Sequence, residues 1–306
     1  MSYSILIADQ IDKKAQQMLV AAGFNVTAPE EPTPEEVVAL LPKFDVLVVR
    51  SRTKVTKEMI AVGKSLKVIG RAGVGVDTID AAEAERRGVK VINAPGSNSR
   101  SVAEHTIGLM FALARMVPQA DASMKRGKWE KKLFKGIELE GKTLGIIGFG
   151  HVGKIVAQMA QVIGMKIVIW SRSSSSSSNN EYTVNDDLYE LLAHADFISV
   201  HVPKTKETEY LINAQAFEAM KDGVYLVNTA RGGIVNEQDL LHALESGKVA
   251  GAALDVFEHE PTPDPFLIAH SKVIATPHIA AHTREAQQHA GVMIAEQIIE
   301  WAQQSS

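Results

Sequence analysis

Residues 143–153 read TLGIIGFGHVG, and this stretch decides the fold. Thr143–Ile147 is a short apolar run of the kind that fills a strand buried on both faces. It enters Gly148-Phe149-Gly150-His151-Val152-Gly153, a G-x-G-x-x-G, and the helix-period segment Lys154–Val162 leaves it. A glycine triplet alone is weak evidence, but between a strand and a helix each glycine has a mechanical reason. Gly148 permits the tight turn, Gly150 lets backbone approach a pyrophosphate, and Gly153 packs the helix onto the strand. The helix N-terminus adds free N–H groups and a partial positive charge. The arrangement predicts a dinucleotide site. About 20 residues later, the end of the next strand normally carries a carboxylate for the 2′-OH of NAD. Here Trp170-Ser171-Arg172-Ser173 stand instead. Ser171 occupies the carboxylate position, and Arg172 can pair with a 2′-phosphate. The expected cofactor is therefore NAD(P), with NADP favoured over NAD. The competing reading makes Arg172 a surface cation and lets NAD bind without the carboxylate.

Outward from this stretch, short apolar runs alternate with helix-period segments to both ends of the chain. On the N-terminal side, strands are expected at Ile5–Ala8, Phe24–Val26, Phe44–Val49, Leu66–Ile69 and Val89–Ile92. Helices fall between them at Ile11–Ala22, Pro34–Leu41, Lys57–Val62 and Asp80–Arg87, which together describe one doubly wound unit of about 95 residues. On the C-terminal side, strands are expected at Lys166–Trp170, Asp196–Val200, Gly223–Asn228, Gly251–Asp255 and Lys272–Ala275. A last helix is expected over Thr283–Gln303. Between the two series, Ser101 to about Lys125 has helical spacing, with Ser101 as N-cap and Glu104 three residues later. Read as one helix, it is a rod of roughly 37 Å at 1.5 Å per residue, suited to bridging domains or meeting another subunit.

Composition narrows the function classes. The 306 residues carry 32 Lys+Arg against 36 Asp+Glu, a net charge of −4, which gives no general reason to bind nucleic acid or anionic membrane. No apolar run approaches the ~18 residues of a membrane span, and MSYSILIADQ has no basic region leading a long apolar one. Zero Cys excludes disulfides, Cys-ligated zinc and Cys nucleophiles, and fits a cytoplasmic protein. His278 and His282 are four apart, yet no third ligand stands at a familiar spacing, so no metal site is expected.

Among ten histidines, His201 and His278 end strands and so lie on the ligand-facing edge of a parallel sheet. His105, His194, His242 and His289 fall in helical segments and are read as structural. Two clusters lift His278. Asn228-Thr229-Ala230-Arg231 puts an arginine just after one strand, and Asp255-Val256-Phe257-Glu258-His259-Glu260 puts carboxylates after the next. Reduction of a 2-keto acid needs this set. Arg clamps the substrate carboxylate, His⁺ protonates the carbonyl oxygen as hydride arrives, and Glu holds the His and raises its pKa.

The set LGIIGFGHVG, NTARGGIVNE, GAALDVFEHEP and TPHIAA closely resembles the D-isomer-specific 2-hydroxyacid dehydrogenases. VVRSRTKVT (48–56), GRAGVGVDTID (70–80) and SMKRGKWEKKLFKGIELEGKTLGIIG (123–148) are similar, more narrowly, to the phosphoglycerate-oxidising members. The resemblance implies an α/β fold of two doubly wound parallel-sheet domains. A Rossmann cofactor domain, residues 98–282, would be inserted in a flavodoxin-like substrate domain made of 1–97 plus 283–306. It further implies Arg231, Glu260 and His278 as the catalytic set. The backbone of Gly73, Val74 and Gly75 would hold the substrate carboxylate, Arg50 would reach a substrate phosphate, and Arg52 is a second cation beside it. His151 and Val152 would lie over the pyrophosphate, Val202, Thr229 and Ala281 would line the cofactor cleft, and Asp255 would bond the nicotinamide amide. The family's dimers form through the cofactor domain and the helix near 101–125, so a homodimer or homotetramer is expected. Because Ser306 ends the chain, no C-terminal regulatory domain and no serine feedback are expected.

The expected reaction is hydride transfer between NAD(P) and a D-2-hydroxy acid/2-keto acid pair. The lead pair is 3-phosphoglycerate/3-phosphohydroxypyruvate, at the head of serine synthesis. The alternative is an NADPH-dependent glyoxylate/hydroxypyruvate reductase, which the Ser171–Arg172 loop would suit. A dinucleotide-sensing corepressor on the same scaffold is a third reading, opposed by the absence of basic or low-complexity tails. A methyltransferase would leave Arg231, Glu260 and His278 unexplained.

Overall fold

A computed structural model describes residues 3–171 and 182–304, which form two compact units. One unit comprises Met1–Asn98 and Ala281–Ser306, the other Ser99–Ala280.

In the first unit the chain runs β1 (Ser4–Ile7), α1 (Lys13–Ala21), β2 (Asn25–Thr27), α2 (Pro34–Leu40), β3 (Val46–Val49), α3 (Lys57–Val62), β4 (Val68–Arg71), α4 (Ala81–Arg86) and β5 (Lys90–Asn93). The five strands are parallel in the order β2-β1-β3-β4-β5, the flavodoxin-like winding. Val46–Val49 and Ile5–Ile7 read as unbroken apolar runs because both faces of these strands are covered. Side chains alternate between the faces, so Ile5, Ile7, Val46 and Val48 enter one core while Leu6, Leu47 and Val49 enter the other.

The second unit contains α5 (Ser99–Arg115), α6 (Val117–Lys125), β6 (Thr143–Ile147), α7 (His151–Val162), β7 (Lys166–Trp170), β8 (Thr183–Asn185), α8 (Leu188–His194), β9 (Phe197–Val200), α9 (Ala214–Ala219), β10 (Val224–Asn228), α10 (Glu237–Ser246), β11 (Val249–Leu254), α11 (Pro265–Ala269) and β12 (Val273–Ala275). Its parallel order is β12-β11-β10-β9-β6-β7-β8. The winding reverses between β6 and β9, and in such sheets a ligand crevice opens at that switch point, beyond the strands' carboxyl ends. The chain then returns to the first unit as α12 (Arg284–Gln304), whose Ala290, Ile294, Ala295 and Ile298 complete the core that holds Ile5 and Val46.

Two expectations are corrected here, and one further strand appears. The segment from 101 to 125 is two helices, not one rod. Pro118 has no N–H, and its ring excludes the carbonyl four residues back, that of Ala114. That carbonyl accepts from Ile137 N instead (2.9 Å), and Met116 takes a left-handed turn at φ 50°. Ser101 is no N-cap, since α5 starts at Ser99, and Glu104 pairs with Arg100 at 2.6 Å. The edge strand β8 went unanticipated because three residues, TVN, carry too little apolar pattern to mark it.

Candidate active site

The loop after β6 is shaped by its glycines. Gly148 turns at φ 98°, and a Cβ there would stand 2.6 Å from the His201 carbonyl oxygen. At Gly153 a Cβ would fall onto the Gly148 carbonyl, so α7 can seat this closely only on glycine. Gly150 differs from both. It is exposed, has an ordinary φ of −79°, and a Cβ built there meets nothing within 4 Å. The open space lies at the N-cap of α7, which no side chain caps. His151 and Val152 form the helix's first turn, His151 exposed and Val152 half-buried. Uncapped N–H groups facing open space fit a pyrophosphate. Val202 and Thr229 are buried, Val202 packing against the Gly148 turn, and Ser171 follows the end of β7. Arg172 lies outside the described residues.

Arg231, Glu260 and His278 follow β10, β11 and β12, and the fold brings them together. His278 Nδ1 lies 2.8 Å from Glu260 Oε2. A carboxylate only accepts, so Nδ1 carries the proton and Nε2 is left for proton exchange. The Glu260 hydrogen bond raises the His278 pKa, against burial and the Arg231 charge, which both lower it. Glu260 sits below the usual carboxylate range. Burial works to raise it, but hydrogen bonds from His278 and Phe257 N outweigh that. His278 holds a left-handed φ of 52°, unusual for a residue with a side chain. The turn is fixed by His278 N donating to Thr276 O (3.0 Å) and by Asp255, which accepts Ile279 N on Oδ1 and Ala280 N on Oδ2. A Cβ on Gly232 would collide with the Phe257 carbonyl, so the Arg231 loop lies directly against the loop leading to Glu260. His201 is set apart chemically. Burial pushes its pKa down to about 3, and its Nε2 lies 2.8 Å from Ser199 Oγ, so it is neutral where His278 titrates.

Asp255 is fully buried. Its pKa is lowered: burial raises it, while bonds from His105, Thr276, Ala280 N and Ile279 N prevail. In the first unit, Arg50 is half-buried, its Nη1 reaching Gln10 O at 3.4 Å. Arg52, expected as a second cation beside Arg50, is tied to its own loop. Its guanidinium is engaged by Asp9 Oδ1 (3.2 Å), Pro32 O (3.0 Å) and Ala8 O (2.6 Å). Gly73 and Val74 give their carbonyls to Ala94 N (2.9 Å) and Asn93 Nδ2 (2.6 Å). Ala281 is half-buried at the start of the returning segment.

Sequence reasoning passed over two residues. Asp9, buried after β1, accepts from Arg50 N, Thr53 N, Thr53 Oγ1 and Arg52 Nε and so shapes the loop that carries Arg50. An aspartate directly after an apolar strand was the available signal. His105, read as structural from its helix, places Nε2 3.2 Å from Thr276 Oγ1. Nothing local to α5 announces that contact. Among the described residues, no His/Cys/Asp/Glu group is arranged to hold a metal, and no helix is long and apolar enough to cross a membrane.

Comparison with known proteins shows the family. The family model for the D-isomer specific 2-hydroxyacid dehydrogenase, NAD binding domain, matches residues 107–280. D-3-phosphoglycerate dehydrogenase of Archaeoglobus fulgidus is 50% identical over 97% of this chain, which spans 57% of that protein's length. Hydroxypyruvate reductase of Thermotoga maritima is 46% identical over 97% of both chains. The crystal structure of NAD⁺-bound 3-phosphoglycerate dehydrogenase from Entamoeba histolytica superposes with a TM-score of 0.84 at 30% identity, covering 100% of this chain and 97% of the other. The matched region holds both the glycine loop and the His278–Glu260 pair, and the chain belongs to the D-isomer specific 2-hydroxyacid dehydrogenase family.

Proposed function

We propose that this chain interconverts a D-2-hydroxy acid and its 2-keto acid, with 3-phosphoglycerate and 3-phosphohydroxypyruvate as the pair. The observation that carries the reading is the 2.8 Å His278–Glu260 contact, in the same unit as a glycine loop open at Gly150. A bound nicotinamide supplies or accepts the hydride. Gly148, Gly150, His151, Val152 and Gly153 would hold its pyrophosphate, and Val202, Thr229 and Ala281 would line its cleft. Asp255 is the family's candidate for the nicotinamide amide; here its carboxylate is enclosed and accepts from Thr276 Oγ1, Ile279 N and Ala280 N. Ser171, standing where a carboxylate would select NAD, supports NADP.

The chain's own residues manage charge and protons. The Arg231 guanidinium clamps the substrate carboxylate and polarises the carbonyl. His278 Nε2–H gives its proton to the carbonyl oxygen in reduction and takes it back in oxidation, while Glu260 keeps the ring oriented and stabilises its cationic form. Within the first unit, the N–H groups of Val74 and Gly75 would serve as donors for a carboxylate and Arg50 as a cation for a phosphate. Exposed Phe111, Val117 and Met124 on α5 and α6 support assembly as a homodimer or homotetramer, and the absence of Cys suits the cytoplasm.

A second reading rests on the Thermotoga relative, matched over 97% of both chains, together with Ser171: an NADPH-linked hydroxypyruvate or glyoxylate reductase. Initial rates with NADH and NADPH, each against phosphohydroxypyruvate, hydroxypyruvate and glyoxylate, separate the two. Preference for phosphohydroxypyruvate supports the first reading. NADPH-linked turnover of the unphosphorylated acids alone replaces it with the second.

A further inference from the structure

His105 and Thr106 are neighbours on α5, yet their side chains reach two different loops of the sheet. Thr276 Oγ1 lies 2.6 Å from Asp255 Oδ1, and Asp255 is held in its ionised form, so the hydroxyl hydrogen goes to the carboxylate. The same oxygen can then only accept from His105 Nε2 at 3.2 Å, which puts a proton on Nε2. His105 Nε2 is also 3.6 Å from Asp255 Oδ1. Asp255 in turn holds Ile279 N (2.9 Å) and Ala280 N (2.8 Å), the residues that follow His278 in its left-handed turn. Thr106 works on the other loop. Its hydroxyl donates to Val102 O (2.8 Å), so its oxygen accepts from Thr229 Oγ1 (2.8 Å), two residues before Arg231.

We propose that His105 is a positioning residue: its Nε2–H, through Thr276 and Asp255, sets the turn that presents His278, and with the Thr106–Thr229 bond it makes α5 a common brace for the His278 and Arg231 loops. The inference rests on the assignment of His278 and Arg231 as catalytic residues. Loss of the donor leaves the ring of His278 present but misaligned, which is a cost in turnover rather than in substrate affinity.

The test uses the full chain with His105→Phe, which keeps a ring without a donor, and His105→Gln, whose amide nitrogen can replace Nε2–H. Expected are a fall in kcat of about 10- to 100-fold in the Phe variant with KM changed less than about threefold, and recovery to within about threefold in the Gln variant. Turnover in the Phe variant within about twofold of the parent overturns the proposal, as does a loss that the Gln variant fails to rescue. A separate measurement does not depend on activity. Nitrogen-15 NMR of His105 should report a proton on Nε2, and an unprotonated Nε2 would overturn the brace. A parent protein inactive on every 2-keto acid would sink the functional reading, while the protonation of Nε2 would still decide the hydrogen-bond chain.

Discussion

The glycine loop offers a perturbation whose two halves must behave oppositely. An alanine at Gly148 must adopt φ 98° and place its methyl 2.6 Å from the His201 carbonyl oxygen and 2.8 Å from Val202 Cγ1. The left-handed backbone costs about 1–2 kcal/mol and the overpacking about 1–3 kcal/mol more. Stability should fall by about 2–5 kcal/mol, lowering the melting midpoint by roughly 4–20 °C for a unit of this size. An alanine at Gly150 meets neither problem, since φ is −79° and nothing lies within 4 Å of its Cβ. Its effect on stability should stay within about 1 kcal/mol, because a slightly poorer N-cap is offset by a less flexible unfolded chain. The new methyl would instead occupy the space assigned to the pyrophosphate. Crowding of about 1–3 kcal/mol translates to roughly 5- to 150-fold weaker binding. Thermal melts with titrations of NADH and NADPH fluorescence measure both quantities on both variants. A Gly150→Ala protein that melts normally and binds both cofactors within about twofold of the parent would refute the placement of the phosphates over Gly150.

Three further outcomes are expected. His278→Asn should lower kcat by ~10² or more with cofactor affinity little changed; near-normal turnover would return His278 to a structural role. Reduction needs protonated His278, so its rate is full below the His278 pKa and lost as pH rises through it. Glu260 raises that pKa, hence Glu260→Gln should move the alkaline limb of kcat/KM to lower pH, and an unmoved limb would dissociate the pair from the proton step. Arg50→Ala should cost roughly 10- to 150-fold in kcat/KM on phosphohydroxypyruvate and little on hydroxypyruvate, as expected for loss of charged hydrogen bonds to a phosphate. Equal losses on both substrates would remove the phosphate role.

Much of this molecule was legible from local pattern. Val46–Val49 and Ile5–Ile7 are unbroken apolar runs because parallel strands are covered on both faces, and such runs alternating with helical periods describe doubly wound sheets. The Gly148, Gly150 and Gly153 spacing is equally local, since a strand–turn–helix cradle is built within a dozen residues. Arg231, Glu260 and His278 each follow a strand, and strand ends of a parallel sheet share one edge. The family comparison adds identity across most of the chain but no geometry of its own.

Chain pattern failed where distant residues compete for the same group. The helical period runs through Met116, but Pro118 denies the Ala114 carbonyl its helical partner and Ile137, more than twenty residues on, takes it. Arg50 and Arg52 look equivalent along the chain until Asp9, 43 residues from Arg52, engages the Arg52 guanidinium. His105 lies 171 residues from the Thr276 it touches. The sequence by itself determined the alternation of strands and helices in both units, the glycine turn between β6 and α7, and the sheet edge on which Arg231, Glu260 and His278 stand, because these depend on periodicity and on glycine's freedom at φ above zero. Only the tertiary structure decided which charged and hydroxylic groups meet and which way their protons point. Hydrogen bonds and ion pairs act over about 3 Å in space, and separation along the chain carries no record of that distance.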